Sequence, residues 1–129
     1  MTQSTSSGGF VPGVHPIDTY GGGGFRFAGM SHRGSILALP SGIRAWAAVT
    51  PQDIDVAALE PVFAEPAGSI ELLILGMGAA FAFPSAAVRA RLAAARIPVE
   101  PMATGAAIRT YNILLEERRR VAAALLVVA

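Results

Sequence analysis

The chain predicts an α/β fold, and three features carry that expectation. Residues 70–75 and 121–128 are two nearly continuous apolar runs, the pattern of strands buried on both faces of a sheet. In the second half, helix-forming stretches alternate with strand-like ones in the order β-α-β-α-β, which suits a sheet covered by helices. The first half holds short alternating segments divided by glycine and proline, which read as a β-meander. The two apolar runs are therefore expected as interior strands of one sheet. The first half should form a more exposed one.

Residues 1–16 are rich in Ser, Gly and Thr, so an unstructured tail is expected there, followed by a single domain over 17–129. The four glycines from Gly21 to Gly24 have almost no intrinsic conformational preference and read as a loop. Residues 25–27 alternate as a short strand, 29–34 read as a turn region, and 35–39 as a second strand closed by Pro40-Ser41-Gly42. Residues 43–49, with the single tryptophan Trp46, make a third strand. Thr50-Pro51 is a helix start, with threonine as cap, proline at the first position and Asp53 and Asp55 in the first turn. Pro61 limits this segment to one short helix or two turns. Pro84-Ser85 opens a helix through Ala95, with Val88 and Leu92 four apart. Residues 97–102 read as an edge strand, because Pro98 and Pro101 remove backbone donors. Thr104 is expected to cap a last helix that runs to about Arg119, before the final buried strand.

Composition excludes several function classes. The chain of 129 residues is long enough for one real core, and its formal net charge is +1. That near-neutral balance argues against a dedicated nucleic-acid binder, and all ten basic residues are arginine, which reads as compositional bias. The absence of cysteine removes disulfides, thiolate metal sites and thiol catalysis. The longest apolar stretch, 72–83, contains Gly76 and Gly78 and stops at Pro84, well short of the ~20 residues a membrane span requires. Residues 1–16 lack the basic start and apolar core of a signal peptide, so the cytoplasm is the expected compartment.

Projected at about 100° per residue, the last helix turns Ala107, Ile108, Tyr111, Leu114 and Leu115 toward the sheet. Arg109, Asn112 and Glu116 fall on the opposite arc, and Ile113 sets an apolar group beside them. Such an arc is most simply a solvated face with ordinary i,i+3 and i,i+4 pairing. It also suits a contact surface for a protein partner, because an exposed isoleucine has no structural purpose there. Gly76-Met77-Gly78 after a buried strand invites a dinucleotide reading. The third glycine of that fingerprint would fall at Phe81, and the helix starts only near Ser85, too late for a phosphate to meet its N-terminus. A tight turn accounts for both glycines, and a small anion at the Ser85 helix start remains an option. Gly21–Gly24 is no P-loop, because no Gly-Lys-Ser/Thr comes after it. Catalytic groupings are thin. His15 lies in the tail and His32 in a turn, Gly-x-Ser-x-Gly is absent, and Glu116 and Glu117 point in different directions. No cofactor, metal or catalytic residue is expected. Trp46 and Tyr111 read as core aromatics, with the Tyr111 hydroxyl needing a buried partner.

The stretch from Thr104 through Ile108-Arg109-Thr110-Tyr111-Asn112 to Glu116-Glu117-Arg118 and Leu125 resembles the C-terminal signature of a small domain family of unknown function. That family includes the mitochondrial complex I assembly factor three and the adipogenesis-associated Mth-domain-like proteins. Ile17-Asp18-Thr19-Tyr20, Gly24-Phe25, Phe27, Trp46, Glu71 through Gly78, and Ile97 through Thr104 fit in the same order, so the likeness covers residues 17–126. Met77 departs from it, standing where threonine or another small polar residue is expected, which weakens a ligand role at that side chain. The resemblance implies three layers: a mixed central sheet, helices on one side and a small antiparallel sheet on the other. It implies no established enzyme activity. The resulting expectation is a non-enzymatic protein-interaction domain assisting assembly of a membrane or respiratory complex. Its binding residues would be Arg109, Asn112, Ile113 and Glu116 with Gly76 and Gly78, and its partner a protein or a second copy in a homodimer. The alternative is a small-molecule or anion-binding domain, an enzyme included, built on the turn from Gly76 to Gly78.

Overall fold

The structure is a computed structural model that describes residues 10–129. The first half supplies β1 (Phe10–Pro12), β2 (Ile17–Gly21), β3 (Gly24–Phe27), β4 (Met30–Arg33), β5 (Ser35–Leu39) and β6 (Gly42–Trp46). The second supplies α1 (Glu60–Phe63), β7 (Leu72–Gly76), α2 (Ala86–Ala94), β8 (Val99–Met102), α3 (Thr104–Glu116) and β9 (Val121–Leu125). The two apolar runs become neighbours: β7 and β9 pair in parallel from Leu72 opposite Val121 to Gly76 opposite Leu125. They sit inside a six-stranded mixed sheet of order β1-β6-β5-β9-β7-β8, so both are interior strands, as expected. β8 is the edge strand that its prolines require. β2, β3 and β4 make a separate three-stranded antiparallel sheet.

The meander is thereby divided between two sheets, because β5 pairs with β9 across the molecule instead of staying with β4. The expected turn region 29–34 contains β4, whose residues pair with β3 from Phe27 opposite Met30 to Gly24 opposite Arg33. Part of the expected tail 1–16 is strand. Phe10–Pro12 form β1, which pairs with β6 through Val11 opposite Ile43; the rest of that stretch, 1–9, lies outside the described residues. Low hydrophobic content conceals a strand that takes its hydrogen bonds from an existing edge.

Period-two alternation sorts the central sheet into two cores. Leu37, Leu39, Leu73, Leu75, Ala122 and Ala124 face one side, where they meet Ile54, Leu59 and Val62, together with Val88 and Leu92 of α2. Ile36, Ala38, Ile74, Val121, Ala123 and Leu125 face the other, where they meet Ile17, Phe25 and Phe27 of the small sheet and Ala107, Ile108 and Tyr111 of α3. The expected three-layer α/β arrangement is present, and the helices divide between its outer layers. α3 shares the small sheet's face because of chain handedness. The step β7–α2–β8 moves one way along the sheet and β8–α3–β9 moves back past β7. Right-handed crossovers in opposite directions put their helices on opposite faces.

The segment after Thr50 makes short 3-10 turns at Pro51–Asp53 and Ala57–Leu59 before α1. Asp53 accepts the Val49 and Thr50 amides at 2.9 Å each, which holds its carboxyl below the usual range. Trp46 is buried and its indole N–H donates to the Ala58 carbonyl at 2.8 Å, pinning these turns to β6. Tyr111 is buried on the opposite face with its hydroxyl 3.4 Å from the His15 carbonyl, and burial pushes its phenol well above the ordinary value.

Glu71, just before β7, fastens the α3–β9 turn. Its carboxylate accepts Arg119 Nη2 at 3.1 Å and the Arg120 amide at 2.8 Å. The Arg119 hydrogen bond, then that from Arg120, holds the Glu71 carboxyl below its ordinary value. A depressed carboxyl pKa contributes stability above the unfolded value, near 4.5, that is lost as pH falls through the folded value. Thermal melts should show wild type above Glu71→Gln at neutral pH, with the two converging as pH falls below the unfolded value and through the lower folded one. A pH-independent difference would show that Glu71 does not act through its charge.

Candidate functional site

The chain's topology marks one place for a ligand. β8 and β9 flank β7 on opposite sides, and the crossovers leaving β7 and β8 run in opposite directions along the sheet. Crevices at the carboxyl ends of such strands are the usual binding position in α/β sheets. In this molecule the turn after β7, from Gly76 to Gly78, sits there.

That turn is closed by Thr104, the first residue of α3. Its hydroxyl accepts the Gly78 amide at 2.9 Å and donates to the Leu126 carbonyl at 2.8 Å, while its own amide donates to the Gly78 carbonyl at 2.8 Å. The Met77 amide donates to Met102 and the Leu126 amide to Gly76, both at 2.8 Å. The N-cap position expected for Thr104 is held by Ala103, and the threonine hydroxyl ties β7 to β9 instead. A Cβ on Gly76 would lie 2.9 Å from Leu125 Cδ2 and 3.0 Å from Thr104 Oγ1, so close packing requires glycine. Gly78 has φ +100°, a left-handed conformation that glycine adopts without strain. The Met77 side chain points into the core beneath α2 and is fully buried. The amides of Met77 and Gly78 and the carbonyls of Gly76 and Gly78 are thus spent within the fold.

Beyond the turn the chain becomes apolar and exposed. Residues 79–83 form an irregular loop in which Phe81 is 53% and Phe83 75% exposed. Their rings pack edge to face, with centroids 4.8 Å apart. Ser85 then caps α2 by accepting the Val88 amide at 3.2 Å. Sequence reasoning missed this pair. Phe81 and Phe83 lie at the end of an apolar stretch and read as part of it. The usable signal was two phenylalanines between a Gly-Met-Gly turn and Pro84, on no helical or strand face.

The predicted outer arc of α3 separates into different roles. Arg109 and Glu116 are exposed and Ile113 is 56% exposed, as projected. Asn112 is half-buried: its Oδ1 accepts the Ile17 amide at 2.9 Å and its Nδ2 donates to the Ile17 carbonyl at 2.8 Å. It behaves as one residue of a neighbouring strand and clamps β2 to α3, so it is removed from any free surface. Thr110 donates to Met102 Sδ at 3.6 Å and secures the β8–α3 corner. Among the described residues no group of three or more His, Asp or Glu stands at metal-binding distance. None of their helices is long and apolar enough to cross a membrane.

The three-layer α/β domain, with its small antiparallel sheet sharing a face with the last helix, is similar in fold to a protein described as a Mth938-like domain. The chain belongs to the family of proteins of unknown function designated DUF498/DUF598, whose model matches residues 17–126. It is 43% identical over 114 residues to an uncharacterized protein of Rhodobacter capsulatus, covering 88% of this chain and 86% of that one. A crystal structure described as an outer membrane protein from Bartonella henselae has 45% identity and a TM-score of 0.87, covering 92% and 98% of the two chains. A Bordetella pertussis protein described as a Mth938-like domain has 26% identity and a TM-score of 0.75, covering 98% and 92%.

Proposed function

We propose that the domain is a non-enzymatic protein-interaction module whose contact surface centres on the loop 79–83, with Arg109, Ile113 and Glu116 of α3 as further contact residues. One observation carries this reading: Phe81 and Phe83 are exposed as an edge-to-face pair beside a turn whose Gly78 amide and carbonyl are both bonded to Thr104. Aromatic side chains held out in water are the common anchors of protein interfaces. Exposing two phenylalanines costs hydrophobic free energy that a partner would recover. Arg109 and Glu116 carry opposite charges, which suits a complementary protein surface better than capture of an anion.

The client is a membrane or respiratory complex under assembly, and the domain acts on it from the cytoplasm. Resemblance to a family with a complex I assembly factor supports this client. A second copy of the chain is the other protein the patch would fit.

Affinity capture with the intact chain, beside Phe81→Ser/Phe83→Ser, tests the reading. The wild type should retain a partner that the double variant loses, while both give the same circular dichroism and melting temperature. Glu116→Arg should weaken capture less, and a self-association lost in the double variant would identify the partner as a second copy. Equal capture by wild type and a folded double variant would remove the loop from the interface.

A further inference from the structure

The small sheet has a second surface that the interaction reading does not use. Its outward face forms a groove of about 340 Å³ lined by Thr19, Tyr20, Arg26, Ser31, His32 and Arg33 around the glycine hairpin. That is within the usual size of small-molecule sites, roughly 300–1,000 Å³. β3 buries Phe25 and Phe27, which turns Gly24 and Arg26 outward. The register sets Arg26 opposite Ser31 and Gly24 opposite Arg33. Arg26 and Arg33 are therefore diagonal neighbours on one face, with only the glycine backbone and a serine between them. Arg26 Nη1 donates to Ser31 Oγ at 2.6 Å, which fixes its guanidinium. The lining contains no carboxylate, and among the described residues neither arginine is within ion-pair distance of one.

Structure alone does not account for this pair. Charge on a small exposed sheet protects its edges, but Arg26 stands on the central strand β3 and protects none. We infer that the groove binds a small phosphate monoester, its dianion held between the Arg26 and Arg33 guanidiniums. A carboxylate has two oxygens and satisfies one guanidinium fork, whereas a terminal phosphate has three and can accept from both. The glycine backbone lets the anion approach without meeting a Cβ, while Tyr20, opposite the inward-facing Phe25, turns its hydroxyl to Gly105 of α3 and leaves the outer face to the two arginines. The grip comes from side chains, which differs from a P-loop, where backbone amides and a lysine hold the phosphate.

Titration of the intact chain with adenosine monophosphate at low salt, followed by amide and arginine Nε signals in ¹H–¹⁵N spectra, tests the assignment. Saturable shifts should appear at the Gly21–Gly24 hairpin, Arg26 and Arg33, inorganic phosphate should compete, and adenosine alone should give none. Arg33→Gln should weaken binding by about tenfold or more with an unchanged melting temperature. Arg26→Gln should do the same, and if its loss of the Ser31 contact disturbs folding, Arg33→Gln still decides. Three results would overturn the proposal: no saturable shift at millimolar ligand, succinate binding as tightly as phosphate, or shifts at Gly76 to Gly78 in place of the hairpin.

Discussion

Thr104→Val is expected to destabilise the domain by about 2–5 kcal/mol, although the two side chains have nearly the same shape. The hydroxyl accepts the Gly78 amide and donates to the Leu126 carbonyl, and Thr104 is fully buried. Valine leaves a donor and an acceptor unpaired in a site that excludes water, at about 1–3 kcal/mol for each group. Thr104→Ser keeps both hydrogen bonds and loses one methyl group, so it should cost only about 1 kcal/mol. Urea denaturation followed by circular dichroism measures both. Hydrogen exchange at Gly78 adds a local readout, since its amide should lose protection in the valine variant alone. Equal stability of the valine and serine variants would mean that the hydroxyl does not hold β7 to β9.

Removing the Asn112 side chain should cost about 2–4 kcal/mol, more than an exposed helix residue can lose. Both backbone groups of Ile17 bond to that one amide, and Ile17 is itself a buried member of the core beneath the small sheet. Asn112→Ala should therefore loosen β2 first, with faster amide exchange and proteolysis in Ile17–Gly21 than in β7 or β9. Asn112→Asp separates hydrogen bonding from size. An aspartate still accepts the Ile17 amide but sets a second oxygen against the Ile17 carbonyl, which disfavours the charged form and raises its folded pKa. The defect of Asn112→Asp should then lessen as pH falls, because the protonated carboxyl regains a donor. A pH-independent Asp variant as stable as wild type would show that the clamp is not formed.

These two residues also show how far the sequence could be read. The helical projection put Ala107, Ile108 and Tyr111 in the core correctly, because burial on α3 follows the 3.6-residue period. Asn112 is on the opposite arc by the same projection, yet a second sheet lies over that side of the helix and uses it. A projection describes one helix and one sheet; it contains no information about a third element arriving from 95 residues away in sequence. Thr104 illustrates the same limit, since a threonine before a helix reads as a cap whichever way its hydroxyl turns. Phe81 and Phe83 were hidden differently, by lying in a short loop between a turn and a helix, where no periodicity says whether an apolar side chain is covered.

The sequence by itself determined the class of the fold. Continuous apolar runs can be satisfied only where both faces are covered, so β7 and β9 had to be interior strands, and prolines made β8 an edge. Local chemistry likewise determined the Ser85 cap and the core positions of Trp46 and Tyr111. Tertiary structure alone decided which strands of the first half joined which sheet, which face α3 covered, and whether a polar residue would meet water, a backbone group or an open groove. Each of those outcomes depends on long-range pairing and on crossover handedness. Those are properties of the assembled chain, and no window of neighbouring residues contains them.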